Sequence, residues 1–260
     1  EIGIPKVIVH SHSTSVEEND PVKCEALFKQ HEKIKQAFSP DLATDFCACS
    51  WKAADWLFGP QIPRDKIRIM KNGIAVERFR YRLETRKRIR AELGLGNAFV
   101  LGTVGRLSYV KNQGFLIDLF YEFRKTQPNV RLMIIGDGEL RKSLEEQIDQ
   151  YGLNDSVLLL GWKPDVENYL QTMDCFLLPS RFEGLGIAVV EALASGLPCI
   201  VSDQVPEVLA FTEMLQFVPL QISSWISALE QATVKKVDRK NGVEIVKSAG
   251  FDVKYQAKAL

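Results

Sequence analysis

The sequence has no surplus of charge: 33 Lys and Arg face 33 Asp and Glu among 260 residues. Overall electrostatics therefore give no reason to expect a nucleic-acid partner. No apolar run approaches the roughly 18 residues that cross a bilayer, and the opening residues do not read as a secretory leader. Cysteine is scarce and odd in number, and Cys24, Cys47, Cys49, Cys175 and Cys199 lack paired Cys-x-x-Cys spacing. Cys47 and Cys49 fall on an expected strand, and Cys175 and Cys199 fall inside apolar runs. All five read as reduced, buried thiols of a cytoplasmic protein, not as bridges or zinc ligands. There is no low-complexity tract, no internal repeat and no initial Met; the text opens at Glu1 in a strand-like run and reads as a piece of a longer chain. What is present is a globular composition, 46% hydrophobic and 25% charged, enough for one large or two modest domains.

The order of elements divides the chain. Val7–Val9 is a short β-branched strand ending in the polar loop His10-Ser11-His12-Ser13-Thr14. Helical spacing covers 22–37, and a buried strand covers Asp45–Cys49. Ser50 can cap a helix from Trp51 to Phe58, which Gly59-Pro60 stops, and Ile67–Met70 is a third strand. From residue 99 the alternation is regular. Strands at 100–104, 131–135, 157–160, 175–178 and 199–201 alternate with helices at 112–126, 139–151, 165–171 and 186–194. A weaker tail holds a strand at 215–218 and a helix at 223–233. The strands are continuous apolar runs, as expected when both sheet faces are covered. The fold class is thus α/β, with a doubly wound parallel (Rossmann-like) sheet at 98–260 and a partial α/β domain at 1–76. Between them, 77–97 forms a basic connection containing Arg78, Arg80, Arg82, Arg86, Lys87, Arg88 and Arg90. It reads as a solvated face or as a patch for anionic lipid head groups.

In such a sheet, ligands bind where strand carboxyl ends meet helix starts. After the first strand of the second domain, Gly105-Arg106 and Lys111-Asn112 bring two cations to one mouth, and Lys111 at a helix start suits a bound anion. The next loop, Gly136-Asp137-Gly138-Glu139, begins like a dinucleotide fingerprint, but Arg141 stands where the third glycine belongs. It reads as a tight turn whose backbone can line a pocket. Trp162, just past a strand beside Lys163, either offers a face to a nucleobase or packs. Most informative is Pro179-Ser180-Arg181-Phe182-Glu183-Gly184-Leu185-Gly186 and the apolar helix that carries Glu191. A carboxylate on a buried helix costs several kcal/mol unless paired or hydrogen-bonded, and sugar or ribose hydroxyls are suitable donors. The bland alternative is a capping Glu183 and an arginine-paired Glu191. Gly184 and Gly186 allow close approach and leave free N–H groups.

Taken in order, these motifs, with Gly196-Leu197-Pro198 and Ser202-Asp203, resemble the nucleotide-sugar-binding half of a retaining glycosyltransferase of family 4, which has the GT-B fold. The similarity spans roughly residues 67–210 and is closest to bacterial exopolysaccharide or capsule enzymes. The resemblance implies that Arg106 and Lys111 hold the donor diphosphate, with Gly105 and Gly136 lining the same pocket. Glu183 would contact the transferred sugar, assisted by the backbone of Gly184, Leu185 and Gly186. Glu191 would accept from ribose, Trp162 and Lys163 would flank a uracil, and His12 (or, second, His10) would approach from the opposite wall. The absence of an Asp-x-Asp pair fits metal independence. No cofactor is implied. The partners implied are an NDP-sugar, with UDP as the favoured nucleotide, and a glycan or lipid-linked acceptor, with peripheral contact to the inner membrane face as an extension. The early glycine-rich loop of the family is missing, so residues 1–260 are expected to bind donor and turn over poorly. Competing readings are a UDP-sugar epimerase of related fold and a non-catalytic nucleotide-sugar-binding module.

Overall fold

The computed structural model describes residues 5–16, 18, 21–235 and 237–256. The first half is a three-stranded parallel sheet of β1 (Ile8–Ser11), β2 (Asp45–Ala48) and β3 (Ile67–Ile69), in that order. It is joined through α1 (Pro21–Gln36) and α2 (Trp51–Leu57). Ser50 caps α2, its Oγ accepting from the Ala53 N–H at 3.1 Å.

After α3 (Leu83–Glu92) comes the larger sheet: β4 (Phe99–Val104), α4 (Gln113–Arg124), β5 (Val130–Ile135), α5 (Arg141–Gln150), β6 (Val157–Leu159), α6 (Val166–Leu170) and β7 (Cys175–Leu178). It continues with α7 (Ile187–Ala194), β8 (Cys199–Ser202), β9 (Leu215–Val218) and α8 (Ile222–Val234). All six strands are parallel in the order β6-β5-β4-β7-β8-β9. This is the doubly wound arrangement, and its chain order reverses between β4 and β7. Alternate residues feed opposite faces. Leu132 and Ile134 of β5 and Cys175 and Leu177 of β7 pack toward Phe120, Phe123 and Trp225, beneath α4 and α8. Met133, Ile135, Phe176 and Leu178 belong to the other core, with Val189 and Leu193 of α7. That second core is continuous with Phe46, Ala48 and Phe58 of the first half, so the two sheets share one apolar interior.

The tail carries two further helices, α9 (Gly242–Ser248) and α10 (Val253–Gln256). α9 buries Val243 and Val246, and the chain then returns to the junction after β3. There Ile74 N–H donates to Phe251 O at 2.8 Å and Val253 N–H to Ile74 O at 3.0 Å.

Two arginines of the basic connection turn inward. Arg86 donates to the carbonyls of Gln171, Thr172 and Met173 and to Asp174, while Arg90 donates to Thr172 O, Ala98 O and Asp174. Arg239 reaches the same carbonyl cluster from the tail. Three guanidinium groups thus cap the carboxyl end of α6, where unpaired carbonyls and the helix dipole favour cations. Arg78, Arg80, Lys87 and Arg88 pair with Glu167, Glu77, Glu84 and Glu92, and Arg82 donates to Asn168. The expectation of a solvated face is corrected for Arg86 and Arg90 only; Arg78, Arg80, Arg82, Lys87 and Arg88 remain exposed. A second correction concerns the thiols: four are buried as expected, but Cys24 is only partly covered; all five are free. Among the described residues no helix is long and apolar enough to cross a membrane.

Candidate active site

Where the order reverses, the loops after β4 and β7 lie side by side and are laced together. Arg181 N–H donates to Val110 O at 2.8 Å, Asn112 Nδ2 donates to Pro179 O at 3.2 Å, and Arg181 donates to Asn112 Oδ1 at 3.0 Å. Asn112 takes a left-handed φ of 56°, tolerable for Asn, and so delays the start of α4 to Gln113. Gln113 is buried and donates to Arg106 O at 2.8 Å, which fixes the near end of the loop.

Lys111 runs back over Gly105 and pairs with Glu183, Nζ to Oε1 at 2.5 Å. Glu183 is only 8% exposed, and Ser180 Oγ also donates to its Oε1 at 2.7 Å. Arg106 points elsewhere: its guanidinium is largely exposed and donates to Glu139 at 3.2 Å. The two cations expected at one mouth thus have separate partners in this structure. Lys111 precedes the helix and is neutralised by a buried carboxylate that needs a counter-charge; Arg106 stands free of that pair. Nor does Glu183 cap α7. Gly186, at φ 87°, occupies the cap position, and Leu185 is buried behind it. Among the described residues the N–H groups of Gly184, Leu185 and Gly186 have no hydrogen-bond partner. They form an unsatisfied donor rim at the start of α7.

Glu191 lies one turn into α7, partly buried. Among the described residues it makes no ion pair or hydrogen bond; the arginine-paired alternative is not what the fold adopts. Burial first, and then the nearby Glu167 charge, push its carboxyl up to about 7, against a partial offset from Arg78.

The Gly136–Gly138 turn is a packing device. A Cβ on Gly136 would lie 1.9 Å from Gly105 O, and one on Gly138 would lie 2.4 Å from Leu107 O. The turn presses directly on the Lys111 loop. Trp162 is 70% exposed, so its ring is not a packing residue, and Lys163 lies over Tyr169 with Nζ 5.6 Å from the ring. From the first half, His12 comes to the same place: its carbonyl lies against Gly184, and its Nδ1 is 3.3 Å from Asn72 Nδ2. Its ring lies tilted by 39° against that of His10, with centroids 4.0 Å apart. A cavity of about 760 Å³ opens between α1 and Tyr109, on the flank of the Lys111 loop. Sequence reasoning missed Ser180 as a carboxylate partner and Asn112 as the loop latch. The Pro179-Ser180 step and the lone Asn before α4 were their only signals.

A doubly wound fold with a lysine–carboxylate pair and free amides at its switch point defines a class of α/β ligand-binding scaffolds, whose site lies outside the carboxyl ends of the strands. Residues 85–214 match the family described as Glycosyl transferases group 1. The chain is 31% identical to "Putative glycosyltransferase EpsF" of Bacillus subtilis (strain 168) over 99% of its own length and 68% of that protein. It is 37% identical to the "UDP-Gal:alpha-D-GlcNAc-diphosphoundecaprenol alpha-1,3-galactosyltransferase" of Escherichia coli, over 53% of this chain and 37% of that one. The chain thus spans about two thirds of the first relative and just over a third of the second. Anabaena HepE in complex with UDP-glucose superposes with a TM-score of 0.76 at 21% identity, covering 98% of this chain and 70% of that one. WaaG, "a glycosyltransferase involved in lipopolysaccharide biosynthesis", gives 0.76 at 18%, covering 99% and 77%. Both show the shared GT-B fold. This chain belongs to the glycosyl transferases group 1 family.

Proposed function

We propose that the chain carries the donor site of a retaining, metal-independent glycosyltransferase. It would move a sugar from a UDP-sugar to a glycan or lipid-linked acceptor in cell-surface polysaccharide synthesis. The observation that carries this reading is the Lys111–Glu183–Ser180 cluster at the switch point, with free amides beside it and an unpaired Glu191 behind it. The relatives support it: the Escherichia coli enzyme is named for UDP-Gal and a diphosphoundecaprenol-linked acceptor, and another relative for amylovoran biosynthesis in Erwinia amylovora.

In this reading Lys111 and Glu183 exchange partners when donor enters. Lys111 turns to the diphosphate and Glu183 accepts from sugar hydroxyls. Each charge is already in place, so little reorganisation accompanies the reaction. As the anomeric bond stretches, the leaving diphosphate gathers negative charge. Lys111, the exposed Arg106 and the amides of Gly184–Gly186 stabilise it. Ribose hydroxyls donate to Glu191, and Trp162 and Lys163 flank the base. His12 approaches the sugar from the opposite wall. Retention follows from acceptor attack on the face that the diphosphate leaves, with a phosphate oxygen as base.

Calorimetric titration with UDP, GDP, ADP and a panel of UDP-sugars tests the proposal. Saturable binding of UDP in preference to GDP and ADP is expected. Binding of none of them, or preference for ADP, would overturn the donor assignment.

A further inference from the structure

Ser50 does more than cap a helix. It is 2% exposed, and while its Oγ accepts from Ala53 N–H, its O–H donates to Gly184 O at 2.7 Å, across the boundary between the two halves. The Cys49 S–H donates to the same carbonyl at 3.3 Å, a weaker contact. From the other side His12 O presses on Gly184, where an added Cβ would lie 1.8 Å away. Gly184 does not have a left-handed φ. Its lack of a side chain is therefore required by this close approach and not by backbone conformation.

The peptide bond turns this clamp into an aiming device. In a trans peptide the C=O and the following N–H point in opposite directions from one rigid plane. Fixing Gly184 C=O onto Ser50 fixes Leu185 N–H away from the first half, and that N–H has no partner among the described residues. We propose that Ser50 is a positioning residue: its hydroxyl, from the acceptor-side half, orients the Gly184–Leu185 peptide so that the Leu185 N–H serves the donor diphosphate. This rests on the donor reading above, and it makes that site depend on apposition of the two halves.

The test uses the 260-residue chain, UDP as the probe in calorimetry, and the Leu185 amide resonance in [15N]leucine-labelled protein. Ser50→Thr keeps both hydrogen bonds. Ser50→Ala loses both. Ser50→Gly loses the donation to Gly184 yet remains an acceptable helix cap. A positioning role predicts that Ser50→Gly and Ser50→Ala both shift the Leu185 resonance and weaken UDP binding about tenfold, the effect of one hydrogen bond to a charged group. Ser50→Thr should match the parent in both measurements. Gly184→Ala, which pushes the same peptide off from the His12 side, should weaken UDP similarly with Ser50 intact. A purely capping role predicts instead that Ser50→Gly binds UDP within twofold of the parent and leaves the resonance in place; that result overturns the proposal. If the parent fails to bind UDP the donor reading falls, and the amide resonance alone then decides whether the Ser50 tether exists.

Discussion

Glu183 and Glu191 stand eight residues apart on one loop and helix, and the fold treats them in opposite ways. Glu183 is the more deeply covered, and the protein answers its charge with Lys111 Nζ and Ser180 Oγ. Glu191 is given no donor, and its surroundings oppose ionisation. A buried carboxylate that the protein satisfies holds a loop in place. One that the protein leaves unsatisfied stores a cost that a hydroxyl-bearing ligand can relieve. In the proposed reading, the difference would separate a residue poised at the sugar from one that waits for ribose hydroxyls.

The largest expected effect comes from removing the answer to Glu183. Lys111→Ala should destabilise by about 3 kcal/mol, since it strands a buried carboxylate, and should lower transfer by about 10²–10³-fold. Urea denaturation and turnover of the full-length enzyme measure the two. Turnover within threefold of the parent would remove Lys111 from the phosphate role.

Glu191 should behave in the opposite sense. Its carboxyl is raised from 4.5 to about 7, so between those values the folded chain holds a proton that the unfolded chain has lost. Stability from this group therefore falls as pH rises through that window, and the cost is fully present above about pH 7. Glu191→Gln should flatten this slope and stabilise at pH 8 by a few kcal/mol, on the order of the shift itself. Because ribose would favour the ionised form, UDP binding at pH 6.5 should release more protons in the parent than in the variant, in which only the terminal phosphate of the nucleotide contributes. Titration in buffers of different ionisation enthalpy reads this directly.

A smaller effect is expected at Trp162. The ring is exposed, so Trp162→Ala should leave thermal stability unchanged while weakening UDP about tenfold, the scale of one base–aromatic stack. Smallest is Arg106→Ala, whose exposed pair with Glu139 should contribute under about 1 kcal/mol to stability. Its effect should show instead as a loss of selectivity for UDP over uridine.

Much of this was legible in the sequence because it follows from local patterning. The continuous apolar strands alternating with helices announced a covered parallel sheet, and that topology directed attention to the loops at 105–112 and 179–186. The unsatisfied state of Glu191 was foreshadowed by a carboxylate on an apolar helix. What escaped depends on partners far away in the chain. Lys111 looked like an orphan cation because Glu183 lies 72 residues on. Arg86 and Arg90 looked like surface charge because their partners are mostly backbone carbonyls, which leave no trace in side-chain composition. Ser50 was readable as a cap, but its second bond spans 134 residues. The return of the tail to Ile74 rests on two backbone hydrogen bonds with no sequence signal at all.

A crystal structure of the chain with UDP tests the central claim most directly. The account predicts the diphosphate between Arg106, Lys111 and the amides of Gly184–Gly186, with ribose hydroxyls on Glu191 and the Lys111–Glu183 pair opened. Nucleotide bound anywhere else, or bound there with Glu191 untouched, would contradict it.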